Sequence, residues 1–155
     1  MEQLMDEVCG YLHNWFVMKP DGVHRDTFTI SDGVIDADFL TDGQYFRIKG
    51  SLFNDGVYKY PATDLSDEEF IGEVWSMAVP KAILGILDEI TAWNAKYGGV
   101  NSPNYSPFVS ESFNNYSYSK GSRSTSAGSA SGTPTTWQDV FGSRLVRWRR
   151  LSDAL

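Results

Sequence analysis

The sequence predicts an α+β protein, in which a small helical bundle carries an inserted antiparallel β meander and a tethered C-terminal helix. Three observations lead to this prediction. Apolar residues recur at helical spacing along residues 79–97, β-prone runs alternate with Asp-Gly pairs before residue 61, and a Ser, Gly, Ala and Thr stretch precedes the last helix-like segment. With 155 residues, of which 41% are hydrophobic, the chain is large enough for one ordinary domain with a core.

Residues 79–97 (VPKAILGILDEITAWNAKY) predict the central helix of that core, over residues 80–97. Pro80 suits the first position of a helix, where its missing N–H costs nothing, and Gly98 suits the end. One face of the helix is apolar. Its members are Val79, Ile83, Ile86, Leu87, Ile90, Trp93 and Tyr97.

Two other segments are also predicted to be helical. Residues 3–18 have an apolar face that ends before the Lys-Pro-Asp-Gly run at residues 19–22. Residues 66–78 open with Ser66 and Glu69, the spacing of a capping box. Because Pro80 follows, we expect this helix and the central helix to meet at a sharp corner.

The β meander is predicted over residues 26–60. Asp-Gly pairs begin at residues 21, 32, 42 and 55, and Asp-Gly supplies the positive φ angles of tight hairpin turns. Short β-prone runs lie between them, including Thr27 to Ile30 and Tyr45 to Ile48. Three or four such strands are too few to be stable alone, so they are expected to pack on the helices.

The end of the chain is predicted to be modular. Residues 108–120 are aromatic, polar and extended in pattern, and complete a core of residues 1–120. Residues 121–134 predict a flexible linker, and residues 135–155 a docking helix. Two sets of side chains are candidates for contacts with other subunits. For β pairing they are Phe113, Tyr116 and Tyr118; for the helix they are Trp137, Phe141, Arg144, Leu145, Arg147, Trp148, Arg149 and Arg150. The alternative for the helix is that it folds back onto its own core.

The sequence lacks a recognisable catalytic or metal-binding motif, and we predict no enzyme activity, metal or cofactor. The spacing of Asp32, Asp36, Asp38 and Asp42 does not fit an EF-hand loop. Cys9, the one cysteine, is predicted to be a buried structural thiol. The competing hypothesis is a small hydrolase that uses His24, Asp36 or Asp38, and a buried polar pocket joining these residues would favour it.

The net charge of −7 argues against a surface that grips nucleic acid, because phosphate binding needs clustered basic residues. No apolar run is long enough to span a bilayer, and the first residues do not form a signal peptide. We therefore expect a protein of a reducing cytoplasm with no membrane contact.

Three segments resemble the head-tail connector (adaptor) proteins of tailed bacteriophages, in the gp6-like group of siphophages and prophages of Gram-positive bacteria. Residues 46–61 (FRIKGSLFNDGVYKYP) resemble the β insertion of that group. Residues 110–120 (SESFNNYSYSK) resemble a run that joins its core to its C-terminus, with two asparagines where a glycine is common. Residues 137–151 (WQDVFGSRLVRWRRL) resemble its closing helix.

The resemblance implies a structural virion protein that forms a homo-oligomeric ring, usually a dodecamer, in the neck of the particle. Its partners would be the portal protein and a tail or stopper protein, and DNA would pass through the channel without specific binding. It implies no catalysis and no cofactor. Assembly would take place in the host cytoplasm. The alternative is another neck or tail-completion protein, such as a tail terminator, and terminators tend to have a larger sheet.

Overall fold

The computed structural model describes residues 1–98, 110–113, 116–119 and 136–151. The chain divides into two compact units, one of residues 1–87 with 145–155 and one of residues 88–144. The elements of the first unit, in chain order, are α1 (Glu2–Leu12), β1 (Val23–Ser31), β2 (Val34–Ile35), β3 (Tyr45–Lys49), β4 (Gly56–Lys59) and β5 (Glu68–Ser76). They are followed by α2 (Lys81–Tyr97), β6 (Ser110–Phe113), β7 (Tyr116–Ser119) and α3 (Trp137–Leu145), and a 3₁₀ turn (Val146–Trp148) comes last.

A curled five-stranded antiparallel sheet dominates the first unit. Its strand order is β2-β1-β5-β3-β4, so β5, the last of the five in sequence, lies at the centre. Strands β1 and β5 are nine residues long and pair along most of their length, from Val23 opposite Trp75 to Ile30 opposite Glu68. Strand β5 joins the pair β1 and β2 to the pair β3 and β4, because β1 and β3 do not pair with each other.

One face of this sheet and two loops enclose the main hydrophobic cluster. Phe46 and Val74 are fully buried within it, and Ile48 is 1% exposed. The loops around residues 35–40 and 60–65 contribute further apolar side chains, among them Leu40 and Leu65. Helix α1 packs against β4 and buries its own apolar face, which consists of Met5, Val8, Cys9 and Leu12.

The predicted fold class is therefore wrong: the structure is dominated by the sheet, and it is not a helical bundle with an inserted meander. The short strands and the turn at Asp32-Gly33 were predicted correctly, and φ angles of 53° and 77° there suit a tight hairpin between β1 and β2. The strands are nevertheless not a meander, because β5 separates β1 from β3.

The main error concerns residues 66–78, which were predicted to be a helix and instead contain strand β5. Phe70 and Val74 are buried and four residues apart, a spacing that fits one face of a helix and also one face of a strand. Ile71, next to Phe70, is 82% exposed, as alternation in a strand requires. Gly72 and several β-prone residues disfavour a helix here. The segment is a strand because it pairs with β1 on one side and with β3 on the other.

The first helix is shorter than the predicted range of residues 3–18. It ends at Leu12 because His13 adopts a left-handed conformation with φ of 50°. The chain then runs along the end of β5: Met18 donates its N–H to the carbonyl oxygen of Ser76 at 2.8 Å, and Val17 bridges to Met77. These contacts join residues that are far apart in sequence, so the helical periodicity of residues 3–18 could not predict them.

The central helix is confirmed as α2, which begins one residue after Pro80 and whose residues Ile83, Leu87 and Ile90 are at most 1% exposed. The predicted corner between two helices is instead a passage from strand to helix. Strands β6 and β7 pair with each other in a separate two-stranded sheet, so residues 110–113 and 116–119 of the aromatic segment are extended, and their pairing is local. The predicted linker, residues 121–134, lies outside the described residues.

Candidate interaction surface

The loop between β3 and β4 is organised by the carboxylate of Glu68. The Ser51 hydroxyl donates a 2.6 Å hydrogen bond to Glu68 Oε2, and the backbone N–H of Leu52 donates to Oε1 at 2.8 Å. The side-chain amide of Asn54 donates to Oε2 at 2.9 Å, and the N–H of Phe53 makes a longer bond of 3.4 Å. One side chain of β5 therefore holds four consecutive residues of the loop.

A second set of hydrogen bonds closes the base of the loop. Asn54 donates its side-chain amide to the carbonyl oxygen of Ser66 at 2.9 Å, and its Oδ1 accepts the N–H of Ser66 at 2.8 Å. The Ser51 N–H donates to Asp55 Oδ1 at 2.8 Å, and the Asn54 N–H donates to the Ser51 hydroxyl at 2.7 Å. Asn54 and Ser51 are buried. The loop is thus held on both sides of its apex.

These hydrogen bonds lower the pKa of Glu68 below its usual value. The bond from Ser51 is the largest cause, partial desolvation opposes it, and the bonds from Leu52, Asn54 and Phe53 add to the lowering. All of these groups donate to the ionised carboxylate and stabilise it. Glu68 therefore stays ionised at neutral pH.

The apex of the loop exposes two large apolar side chains. Leu52 is 81% exposed and Phe53 66% exposed, whereas Ser51 and Asn54 on either side are buried. We call Leu52 and Phe53 the tip. Two adjacent apolar side chains held outward by an ordered backbone are typical of an interaction site. The sequence signal was an apolar pair inside a run of turn-forming residues, Gly-Ser-Leu-Phe-Asn-Asp-Gly, and sequence reasoning missed it.

A groove of about 540 Å³ lies at the opposite end of β3. Its lining includes Met18, Lys19, Pro20, His24, Phe39 and Gln44. The His24 ring stacks on Phe39 with 3.7 Å between centroids and an interplanar angle of 17°. Met18, at the rim, is 43% exposed. The groove is within the usual size range of binding clefts, ~300–1,000 Å³.

On the face of the sheet opposite the hydrophobic cluster, Arg47 lies between two tryptophans. Its guanidinium carbon is 3.9 Å from the ring centroid of Trp15 and 4.7 Å from that of Trp75. The two indoles meet edge to face at 6.2 Å. Nearby, Arg25 forms a 2.6 Å ion pair with Glu73, which lowers the pKa of Glu73. These contacts cover the centre of that face with charged and aromatic groups.

The predicted hydrolase residues do meet, but not in a buried pocket. His24, Asp36 and Asp38 line one open cleft, and both aspartates are exposed. The histidine stacks on Phe39. Within residues 1–98, 110–113, 116–119 and 136–151, no group of His, Cys, Asp and Glu could hold a metal ion, and no helix is long and apolar enough to cross a membrane. Burial raises the pKa of the Cys9 thiol to about 12, which suits an inert side chain.

The predicted docking helix is shorter than proposed, and its apolar stripe is covered. Trp137 and Phe141 are each 6% exposed, Leu145 is fully buried and Trp148 is half-buried. In the first unit, the backbone N–H of Arg150 donates to the carbonyl oxygen of Leu12 at 2.9 Å. The backbone that follows α3 is therefore bound to α1 of the same chain.

The four arginines of this segment also have contacts within the chain. Arg144 makes a two-pronged salt bridge to Glu89, with N–O distances of 2.6 and 2.9 Å. The Arg147 guanidinium is 3.8 Å from the centroid of Trp148, and that of Arg149 is 5.7 Å from the centroid of Tyr11. Of the predicted β-pairing residues, Phe113 lies opposite Tyr116, and Tyr118 opposite Glu111, all in the two-stranded sheet of β6 and β7.

No protein family, no curated protein and no solved structure matches this chain in sequence or fold comparisons. The functional argument therefore depends on the residues and their geometry.

Proposed function

We propose that the chain is a structural protein of a bacteriophage particle, a head-tail connector subunit that forms a ring beneath the portal. It would offer an attachment surface to a tail or stopper protein and surround part of the DNA channel. The observation that carries the proposal is the tip: Leu52 and Phe53 are exposed on a loop that is held at its base by hydrogen bonds. This loop lies within residues 46–61, one of the three segments that resemble connector proteins.

Two other observations support a structural role. The net charge of −7 would keep a channel wall from retaining DNA as it passes. The histidine and aspartates that could serve a hydrolase lie around an open cleft in which the acids face solvent, and a cleft that admits bulk water gives little electrostatic advantage to catalysis.

The second candidate is a tail terminator or another tail-completion protein. The observation that favours it is the dominance of the five-stranded sheet over the helices, because terminators tend to have larger sheets than connectors. The two candidates differ in position: a connector contacts the portal, whereas a terminator lies at the upper end of the tail.

A cryo-EM map of the neck of particles assembled with this chain tests both candidates. A ring of this fold directly beneath the portal is the expected result. The same fold at the upper end of the tail tube would favour the terminator. Its absence from purified particles, together with hydrolytic activity that is lost in an Asp36→Asn/Asp38→Asn variant, would overturn the structural proposal.

A further inference from the structure

We infer that the tip of one copy of this chain docks into the groove of the next copy, so that the ring is closed by a head-to-tail contact. The inference deepens the proposed function and rests on it. The tip is Leu52 and Phe53, and the groove is the cavity around Met18, Lys19, Pro20, His24, Phe39 and Gln44. The occupant of the groove is thus a second copy of the same chain.

The positions of the two surfaces require a second copy. Gln44, in the groove, immediately precedes β3, and the loop that bears the tip begins immediately after Lys49. The five residues of β3 separate the two ends by about 17 Å, at roughly 3.4 Å per residue. Because the loop is held to β5 by Glu68, the tip cannot fold back to its own groove. A contact between unlike surfaces on two copies repeats along the assembly, and it closes into a ring if the rotation allows.

The chemistry of the two surfaces is complementary. The tip is apolar, and the acidic groups beside it are Asp55 and the ionised Glu68. The lining of the groove includes the apolar side chains of Phe39, Pro20 and Met18 and the basic side chain of Lys19. An adjoining cavity of about 330 Å³ shares residues 18–22 with the lining of the groove and adds Arg150. Lys19 and Arg150 outnumber Asp21, the acid that both cavities share.

The order of the loop makes such a contact favourable. A flexible loop would lose conformational entropy when it docks, whereas this backbone is already fixed by hydrogen bonds from Ser51, Asn54 and Leu52. The free energy gained when the Leu52 and Phe53 side chains leave water is then not offset by the cost of ordering the loop, and it favours binding. Each copy carries both the tip and the groove, at the two ends of β3. Its tip can therefore bind the groove of one neighbour while its groove binds the tip of the other neighbour.

The test compares the full chain with four variants by sedimentation velocity and light scattering over a range of concentrations. Leu52→Ser/Phe53→Ser removes the tip, and Met18→Glu or, independently, Lys19→Glu alters the groove. Ile71→Ser is the matched control, because Ile71 is 82% exposed on β5 outside both surfaces. Circular dichroism and melting curves show that each variant is folded.

The tip variant and each groove variant are expected to weaken self-association by about tenfold or more, and the control not at all. A mixture of tip and groove variants is the sharper readout. It retains one intact contact, since one chain keeps its groove and the other its tip. The mixture should form heterodimers that grow no further.

The inference is overturned if the tip variant assembles like the wild type, if Ile71→Ser weakens assembly equally, or if the mixture gives no heterodimer. A wild-type chain that stays monomeric at every concentration also overturns it. The proposed function is judged separately, because the neck map shows whether the protein is in the particle however its copies contact each other.

Discussion

The side-chain amide of Asn14 donates a 2.8 Å hydrogen bond to the backbone carbonyl oxygen of Trp148, a residue 134 positions later in the chain. Asn14 is 8% exposed, and its Oδ1 accepts the N–H of Phe16 at 3.1 Å. The amide therefore joins the two ends of the first unit while it stabilises the turn after α1. The end of the chain belongs to the fold of its own core through this contact.

Asn14→Ala should reduce the free energy of unfolding by about 1–3 kcal/mol, because the partly buried carbonyl oxygen of Trp148 and the buried N–H of Phe16 lose their partners. Hydrogen exchange should show faster exchange at the amide of Arg150, which is bonded to Leu12. Gln3→Ala, on the exposed side of α1, is the control and should change neither quantity. Equal exchange at Arg150 in the variant and the wild type would show that this end is held by other contacts.

Deletion of residues 136–155 should lower the stability of the core, because Leu145 is fully buried in the first unit and the backbone after it is bonded to α1. If the helix instead docked only on neighbouring subunits, the truncated chain would be as stable as the full chain. Chemical denaturation of the truncated and full chains distinguishes the two outcomes. An unchanged midpoint would restore the hypothesis that the helix docks only on neighbours.

Stability should depend on pH through Glu68. Its pKa is lower in the folded chain than in the unfolded chain, so its ionised form stabilises the fold above the ordinary value of 4.5. That contribution is lost as the pH falls through the lower folded value. Glu68→Gln should therefore lower the melting temperature at pH 6, and the difference from the wild type should shrink toward pH 3. Glu69→Gln, the neighbouring residue, provides the control. A gap that is constant from pH 6 to pH 3 would argue against the hydrogen-bonded carboxylate.

Replacing Gly72 and Gly85 by alanine should change the free energy of unfolding in opposite directions. A Cβ on Gly72 would lie 2.4 Å from the carbonyl oxygen of Lys49, so Gly72→Ala must move backbone and should destabilise by about 1–3 kcal/mol. Gly85, inside α2, has nothing within 4 Å of a Cβ, and Gly85→Ala should stabilise by about 0.5–1 kcal/mol. Urea denaturation of both variants measures the two changes in stability. If both variants were stabilised, or both destabilised, the prediction would be wrong.

Ile90→Ala should cost about 2–5 kcal/mol, because Ile90 is fully buried and its truncation leaves a cavity. The same substitution at Ile71, which is 82% exposed, is expected to cost less than about 0.5 kcal/mol. Because both substitutions are Ile→Ala, the difference between their unfolding free energies, measured by equilibrium unfolding, reports the effect of burial alone. Similar costs at both positions would mean that one of them is wrongly placed.

The sequence by itself determined the elements whose signals are local. The spacing of Ile83, Leu87 and Ile90 with Pro80 ahead of them required a helix, and Asp32-Gly33 required a tight turn, because these features depend on neighbours a few residues away. The buried state of Cys9 followed from the same periodicity. Alternation also located the short strands before residue 61, although it could not say which of them pair.

Only the tertiary structure decided the rest. Phe70 and Val74 fit a helix or a strand equally well, and the pairing of β5 with both β1 and β3 made it the central strand. Glu68 gained its role because Ser51 and Leu52, distant in sequence, arrive beside it. The candidate surface formed by Leu52 and Phe53 likewise depends on contacts between remote residues. Such contacts gain their stability from the whole assembled sheet, so no window of sequence contains them.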